Sequence, residues 1–146
     1  MNYDDIEILF VEDSIDDATL TIRGLVKSGF INKLHRVSDG AEALDFIYGK
    51  GIYASRNTKI NPKLILLDLK MPKVSGMQVL EKVKSDPELK SIPVVILTSS
   101  QEDPDIAKCY ALGANSYIVK PVDSNDFILA IKEIGMYWMI LSQPAH

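Results

Sequence analysis

Cysteine occurs once in these 146 residues, at Cys109, so no disulfide can close within the chain. That fits a reducing compartment and excludes the stapled frameworks of small secreted domains. Histidine occurs twice, at His35 and His146, too few nitrogen and sulfur donors for a structural zinc or haem site. The longest apolar runs, Ile8–Val11, Leu64–Leu67, Val94–Leu97 and Met136–Leu141, fall far short of the roughly 18 residues of a membrane span. The opening residues Met1-Asn2-Tyr3-Asp4-Asp5-Ile6-Glu7 are acidic where a signal peptide is basic and then apolar. No block of Lys or Arg offsets the excess of 20 acidic over 16 basic residues, and the net charge of −4 argues against binding a phosphate backbone. Repeats and low-complexity stretches are absent. The expectation is one soluble, cytoplasmic domain over residues 1–146, with neither nucleic acid nor membrane as partner.

What is present is an alternation of two patterns. Ile8–Val11, Leu64–Leu67 and Val94–Leu97 are continuous apolar runs, the signature of parallel strands covered on both faces. Leu34–Val37 and Ser116–Val119 are weaker strand candidates. Helical periodicity lies between them, over Ser14–Lys27 with Ser14 as N-cap, Ala41–Ile47, Ser75–Lys84, Pro104–Leu112, and from Asp123 or Ser124 onward. The pattern predicts an α/β fold of the (βα)5 type. The segment Tyr48–Pro62 has little periodicity and reads as a long loop or a short extra element, functional or simply solvated.

The predicted strands end in chemistry. The first runs into Glu12-Asp13, the third into Asp68, the fourth into Thr98-Ser99-Ser100 and the fifth into Lys120-Pro121. Ligands bind open α/β sheets at the carboxyl ends of the strands, beside the point where strand order reverses. A doubly wound, flavodoxin-like order 2-1-3-4-5 would bring Asp13 and Asp68 together. Carboxylates sharing one site repel and need positive charge nearby. Lys120 supplies one unit, and a hard divalent ion such as Mg2+, which accepts a few carboxylates plus water and phosphate oxygens, supplies two. Asp68 in such a setting is a competent nucleophile toward phosphorus. Each residue alone is no more than a turn or cap residue; their recurrence on one rim is the signal.

Taken together, Val11-Glu12-Asp13, Leu67-Asp68-Leu69-Lys70-Met71-Pro72 with Gly76, Leu97-Thr98-Ser99 and Tyr117-Ile118-Val119-Lys120-Pro121 resemble the receiver domain of two-component response regulators over about residues 6–135. The resemblance implies that Asp68 accepts a phosphoryl group from a sensor histidine kinase. It implies that Glu12, Asp13, Asp68 and the backbone carbonyl of Lys70 hold Mg2+, with Glu12 acting through water. It further implies that Lys120 and Thr98 contact phosphoryl oxygens, that Ser99 leaves space for the group, and that Pro121 follows a cis peptide. Tyr117 resembles the aromatic that turns inward with Thr98 to switch the surface. No enzymatic activity is implied beyond self-phosphorylation and autodephosphorylation at Asp68.

Two departures stand out, the 48–62 insertion and an apolar tail. A helical stripe of Phe127, Ile131, Ile134, Trp138 and Leu141 is expected to continue past Gly135, although glycine there costs about 1 kcal/mol and allows a bend. Met136, Trp138, Met139 and Leu141 form a cluster too apolar for one buried stripe, read either as a homodimer or partner interface or as a tail folded over the domain. Insertion and tail resemble stand-alone regulators that partner phytochrome-type histidine kinases. No helix-turn-helix or output domain follows, so the expected output is protein contact. Three alternatives carry less support. A phosphohydrolase or mutase lacks a second acid two residues after Asp68. A nucleotide binder lacks a glycine-rich first turn. A degenerate, phosphorylation-independent binding module would not need Glu12, Asp13, Thr98 and Lys120.

Overall fold

The computed structural model describes residues 2–27, 29–30, 33–69, 71, 73–99 and 103–136. Five parallel strands, β1 (Ile8–Val11), β2 (Leu34–Val37), β3 (Leu64–Leu67), β4 (Val94–Thr98) and β5 (Ser116–Val119), form one sheet in the order β2-β1-β3-β4-β5. Helices α1 (Ile15–Lys27), α2 (Gly40–Tyr48), α3 (Gly76–Ser85), α4 (Asp103–Ala111) and α5 (Ser124–Glu133) alternate with them. The expected doubly wound, flavodoxin-like architecture is the one observed.

The apolar runs are explained by the two faces of the sheet. Successive side chains of a strand point to opposite sides. Leu9, Val11, Ile65, Leu67, Val94 and Ile96 pack on one face with Ala43, Phe46 and Ile47 of α2, Val79, Leu80 and Val83 of α3, and Cys109 of α4. Ile8, Phe10, Leu64, Leu66, Val95 and Leu97 pack on the other with Ala18 and Leu25 of α1 and Phe127, Ala130 and Ile131 of α5. Full burial of each such side chain contributes about 1.5–3 kcal/mol, so polar alternation in the central strands would be costly.

The ends of β1, β2 and β3 lead into capped helices, which fixes where their rim residues lie. Ser14 Oγ accepts the Asp17 amide, Asp39 accepts that of Glu42, and Ser75 forms a capping box with Gln78. Two glycines are required by close approach. A Cβ at Gly76 would overlap the Asp68 carbonyl, and one at Gly40 would overlap that of Val74. The start of α3 thus braces the backbone of Asp68, and the start of α2 braces the loop that follows it.

One expectation needs correcting, and one open reading is resolved. The last helix does not run through Gly135. It stops at Glu133, Gly135 adopts φ +76°, and its amide and that of Met136 return to the carbonyls of Lys132 and Ile131. This is a Schellman stop, closed by packing of Met136 near Ile131. Met136 is therefore buried in the core rather than presented in a contact surface. Trp138, Met139 and Leu141 lie outside the described residues.

The 48–62 segment, in turn, is an anchored element. It contains a 3-10 turn at Gly51–Tyr53, and it connects the end of α2 to the start of β3, at the end of the sheet opposite the carboxyl rim. Tyr53 is buried in a cluster of edge-on and stacked rings with Tyr3, His35 and Phe46. Its hydroxyl donates to Glu42 Oε2 at 2.6 Å and so accepts from His35 Nε2 at 2.8 Å. Arg56, also buried, lies over the Phe46 ring and donates to the carbonyls of Phe46, Ile47 and Ile60, closing the C-terminal end of α2.

Replacing Arg56 by Met strands these carbonyls and is expected to destabilise the fold by about 2–3 kcal/mol. Arg56→Lys should recover little, since one ammonium lacks the planar fork that reaches them. Urea unfolding checks this, and equal stability of Arg56→Met and wild type would refute it.

His35 generates a second prediction. Burial lowers its pKa below the ordinary 6.5, against the opposing charge of Glu42. A lowered folded-state value means that the unfolded chain binds the proton first. The favourable contribution of neutral His35 is therefore complete above pH ~6.5 and is lost as pH falls from there toward the folded-state value. The raised pKa of Glu12 works in the opposite direction near neutrality, so the relevant quantity is the difference between proteins. Wild type should lose more stability than His35→Gln between pH 7 and pH 5 in urea titrations. Parallel pH profiles would contradict this.

Candidate functional site

Four strands deliver a polar residue to one rim, and backbone hydrogen bonds extend the sheet by one position to hold them there. The amide of Glu12 donates to Val37, that of Asp68 to Val11 at 3.0 Å, and that of Lys120 to Thr98 at 2.8 Å. The register pairs Val11 with Leu67, Leu67 with Ile96 and Thr98 with Val119, so Glu12 and Asp68 lie level and Thr98 sits one position further along. Glu12, Asp68 and Thr98 are buried, while Asp13 is exposed.

The expected acidic group assembles. Glu12, Asp13 and Asp68 each offer a carboxylate oxygen, all within 4.8 Å of one another, which places them in reach of a single ion. They are the one such group among the described residues. An all-oxygen, carboxylate-rich set suits Mg2+ or Mn2+ far better than a softer metal.

Lys120 holds the compensating charge. Its Nζ donates to Glu12 Oε1, lies 3.1 Å from Asp17 Oδ2 and lies 3.5 Å from Asp68 Oδ2. Burial raises the Glu12 pKa to about 7, and the charge of Asp68 adds to the shift; the hydrogen bonds from Lys120 and the Ser14 amide oppose it. Burial alone would lower the Lys120 pKa, but hydrogen bonds to Glu12 and Asp17 outweigh it and the pKa rises. The lysine stays charged, and the buried glutamate is short of positive charge. A divalent cation would relieve that shortage.

The other expected residues take positions consistent with their motifs. Thr98 closes β4 in the core, and Ser99 is exposed on an open cleft it shares with Asp17, Leu20, Thr21, Lys120, Pro121 and Val122. The Lys120–Pro121 peptide is cis, as the resemblance implied. Tyr117 is half-buried on β5, against the core face shared with α2, α3 and α4. Lys70 lies outside the described residues.

Sequence reading missed two residues. Arg36, from β2, donates to the carbonyls of Glu12 and Asp13 at 2.9 and 3.2 Å, fixing the backbone of the acidic pair. Asp17, in the first turn of α1, contacts Lys120. Its only local signal was an acidic residue near a helix N-terminus, which ordinarily reflects the helix dipole.

Comparison with known proteins agrees with this geometry. The model of the response regulator receiver domain matches residues 8–132. Response regulator Rcp1 of Synechocystis sp. is 37% identical over 132 residues, covering 90% of this chain and 88% of that protein. Among solved structures, the bacteriophytochrome response regulator RtBRR is 48% identical with a TM-score of 0.83, over 94% of this chain and 82% of that one. The Mn2+-bound form of Rcp1 is 37% identical with a TM-score of 0.73, over 94% of this chain and 98% of that one. With the family matched over most of its length and the sheet order and acidic rim in place, the chain belongs to the response regulator receiver domains of two-component signalling.

Proposed function

We propose that the protein is a phosphorylation-dependent response regulator in which Asp68 takes a phosphoryl group from a sensor histidine kinase with the help of Mg2+. The observation that carries this reading is the convergence of Glu12, Asp13 and Asp68 within 4.8 Å beside the Lys120 ammonium. Glu12, Asp13 and Asp68, with the carbonyl of Lys70, would hold the ion. When bound, Mg2+ supplies charge neutralisation for the incoming phosphoryl oxygens. An Asp68 carboxylate oxygen attacks phosphorus, a P–O bond forms, and the P–N bond to the kinase histidine breaks. The electron pair returns to the imidazole nitrogen, which takes up a proton. Lys120, 3.5 Å from Asp68 Oδ2, neutralises the transferred group, and the Thr98 hydroxyl meets a second oxygen.

The phosphoryl group adds charge at the rim where Thr98 closes β4, and a joint rearrangement of Thr98 and Tyr117 is the proposed switch. Similarity to RtBRR supports a phytochrome-type kinase as the partner. Among the described residues no helix is long and apolar enough to cross a membrane, in keeping with a cytoplasmic site of action. The output is read as protein contact, including a homodimer through Trp138, Met139 and Leu141.

Incubation with Mg2+ and acetyl phosphate should add one phosphoryl group by intact mass to wild type and none to Asp68→Asn. An unmodified wild type, or equal labelling of the variant, would overturn the reading. Calorimetric titration with Mg2+ should show one site, weakened in Asp13→Asn by at least about tenfold, the scale on which even outer-shell changes act at metal sites. Unchanged affinity in that variant would remove Asp13 from the ligand set.

A further inference from the structure

Lysine offers three N–H donors and no acceptor, and here Glu12, Asp17 and Asp68 surround them. The three carboxylates are not equivalent. Glu12 and Asp68 belong to the candidate metal group, and Asp68 is also the atom donor for the new P–O bond. Both change partners as the reaction proceeds. Asp17 belongs to neither set. It comes from α1, whose first turn is held by the Ser14 hydroxyl accepting the Asp17 amide at 3.2 Å. Its side chain is 46% exposed, against 12% for Lys120, and both line the cleft that Ser99 shares.

We propose that Asp17 is a positioning residue that holds the Lys120 ammonium at the rim, with its remaining N–H donors available to a phosphoryl group on Asp68. The proposal rests on the reading of Asp68 as phosphoacceptor. When a cation engages Glu12 and Asp68, Asp17 remains as the lysine's anionic partner. Without it, the lysine's remaining carboxylate contacts are Glu12 and Asp68, both members of the candidate metal group. Asp17 also repels an incoming phosphate, but a half-exposed charge is screened by water and salt more strongly at a distance than in the direct 3.1 Å contact. Positioning therefore outweighs repulsion.

The test uses the full chain with saturating Mg2+ and acetyl phosphate, following Asp68 labelling over time by intact mass. Asp17→Ala should slow the saturating rate about fivefold, the scale of one partly exposed hydrogen bond to a charged group. Asp17→Asn, which keeps an oxygen acceptor, should recover most of that rate. Calorimetric Mg2+ affinity and the thermal midpoint should stay close to wild type in both, within about twofold and about 2 °C. A wild-type or faster rate in Asp17→Ala overturns the proposal while leaving Asp68 as acceptor. So does a loss of rate that tracks a lowered midpoint in both variants, which assigns Asp17 to helix stability instead. An unlabelled wild type is a different failure, since it removes the phosphoacceptor reading itself.

Discussion

One ammonium group underlies the arrangement of the site. Burying Glu12 and nearly burying Asp68 at the ends of adjacent strands is untenable without a fixed positive charge between them. Lys120 provides it, and the fold is organised to bring it there. β5 must lie beside β4 so that the Lys120 amide reaches Thr98, and the cis peptide to Pro121 turns the chain directly afterwards. Even so the balance is incomplete. The raised pKa of Glu12 shows an acidic residue still under-compensated, which is the electrostatic condition of a pocket suited to a divalent cation.

The surrounding structure fixes backbone before side chains. Arg36 holds the carbonyls of Glu12 and Asp13, Gly76 lets the start of α3 press on the carbonyl of Asp68, and the Lys120 amide is tied to β4. Side chains projecting from such a frame have little freedom left to lose on binding, which is how pre-organised sites stabilise developing charge. The 48–62 element has a separate role. It closes the end of α2 through Arg56 and packs on His35 of β2 through Tyr53. It is a source of stability placed at distance from the chemistry.

The sheet was legible because its central strands are buried on both sides, so Ile8–Val11, Leu64–Leu67 and Val94–Leu97 have no polar residue to blur them. The rim followed, since residues just beyond those strands share one end of the sheet by necessity. What escaped the sequence depended on long-range partners. Tyr53 and Arg56 look like ordinary loop residues until His35, Glu42 and the end of α2 are beside them. Asp17 became visible only once α1 docked and Lys120 arrived from a hundred residues away. The extension of the last helix was misjudged for a local reason. The apolar stripe outweighed Gly135 in the reading, whereas a left-handed glycine followed by a core methionine is a stop signal in its own right.

The carboxylate of Asp68, whose backbone carbonyl is braced by Gly76 and whose charge faces Lys120, is the group held to receive phosphorus. Reduction of the phosphorylated protein with borohydride converts an acyl phosphate to the corresponding alcohol, so peptide mapping by mass spectrometry then reads the acceptor directly. Homoserine is expected at position 68, with unchanged residues at positions 12, 13 and 17. Homoserine elsewhere with intact Asp68, or a phosphoryl group on a hydroxyl side chain, would contradict it.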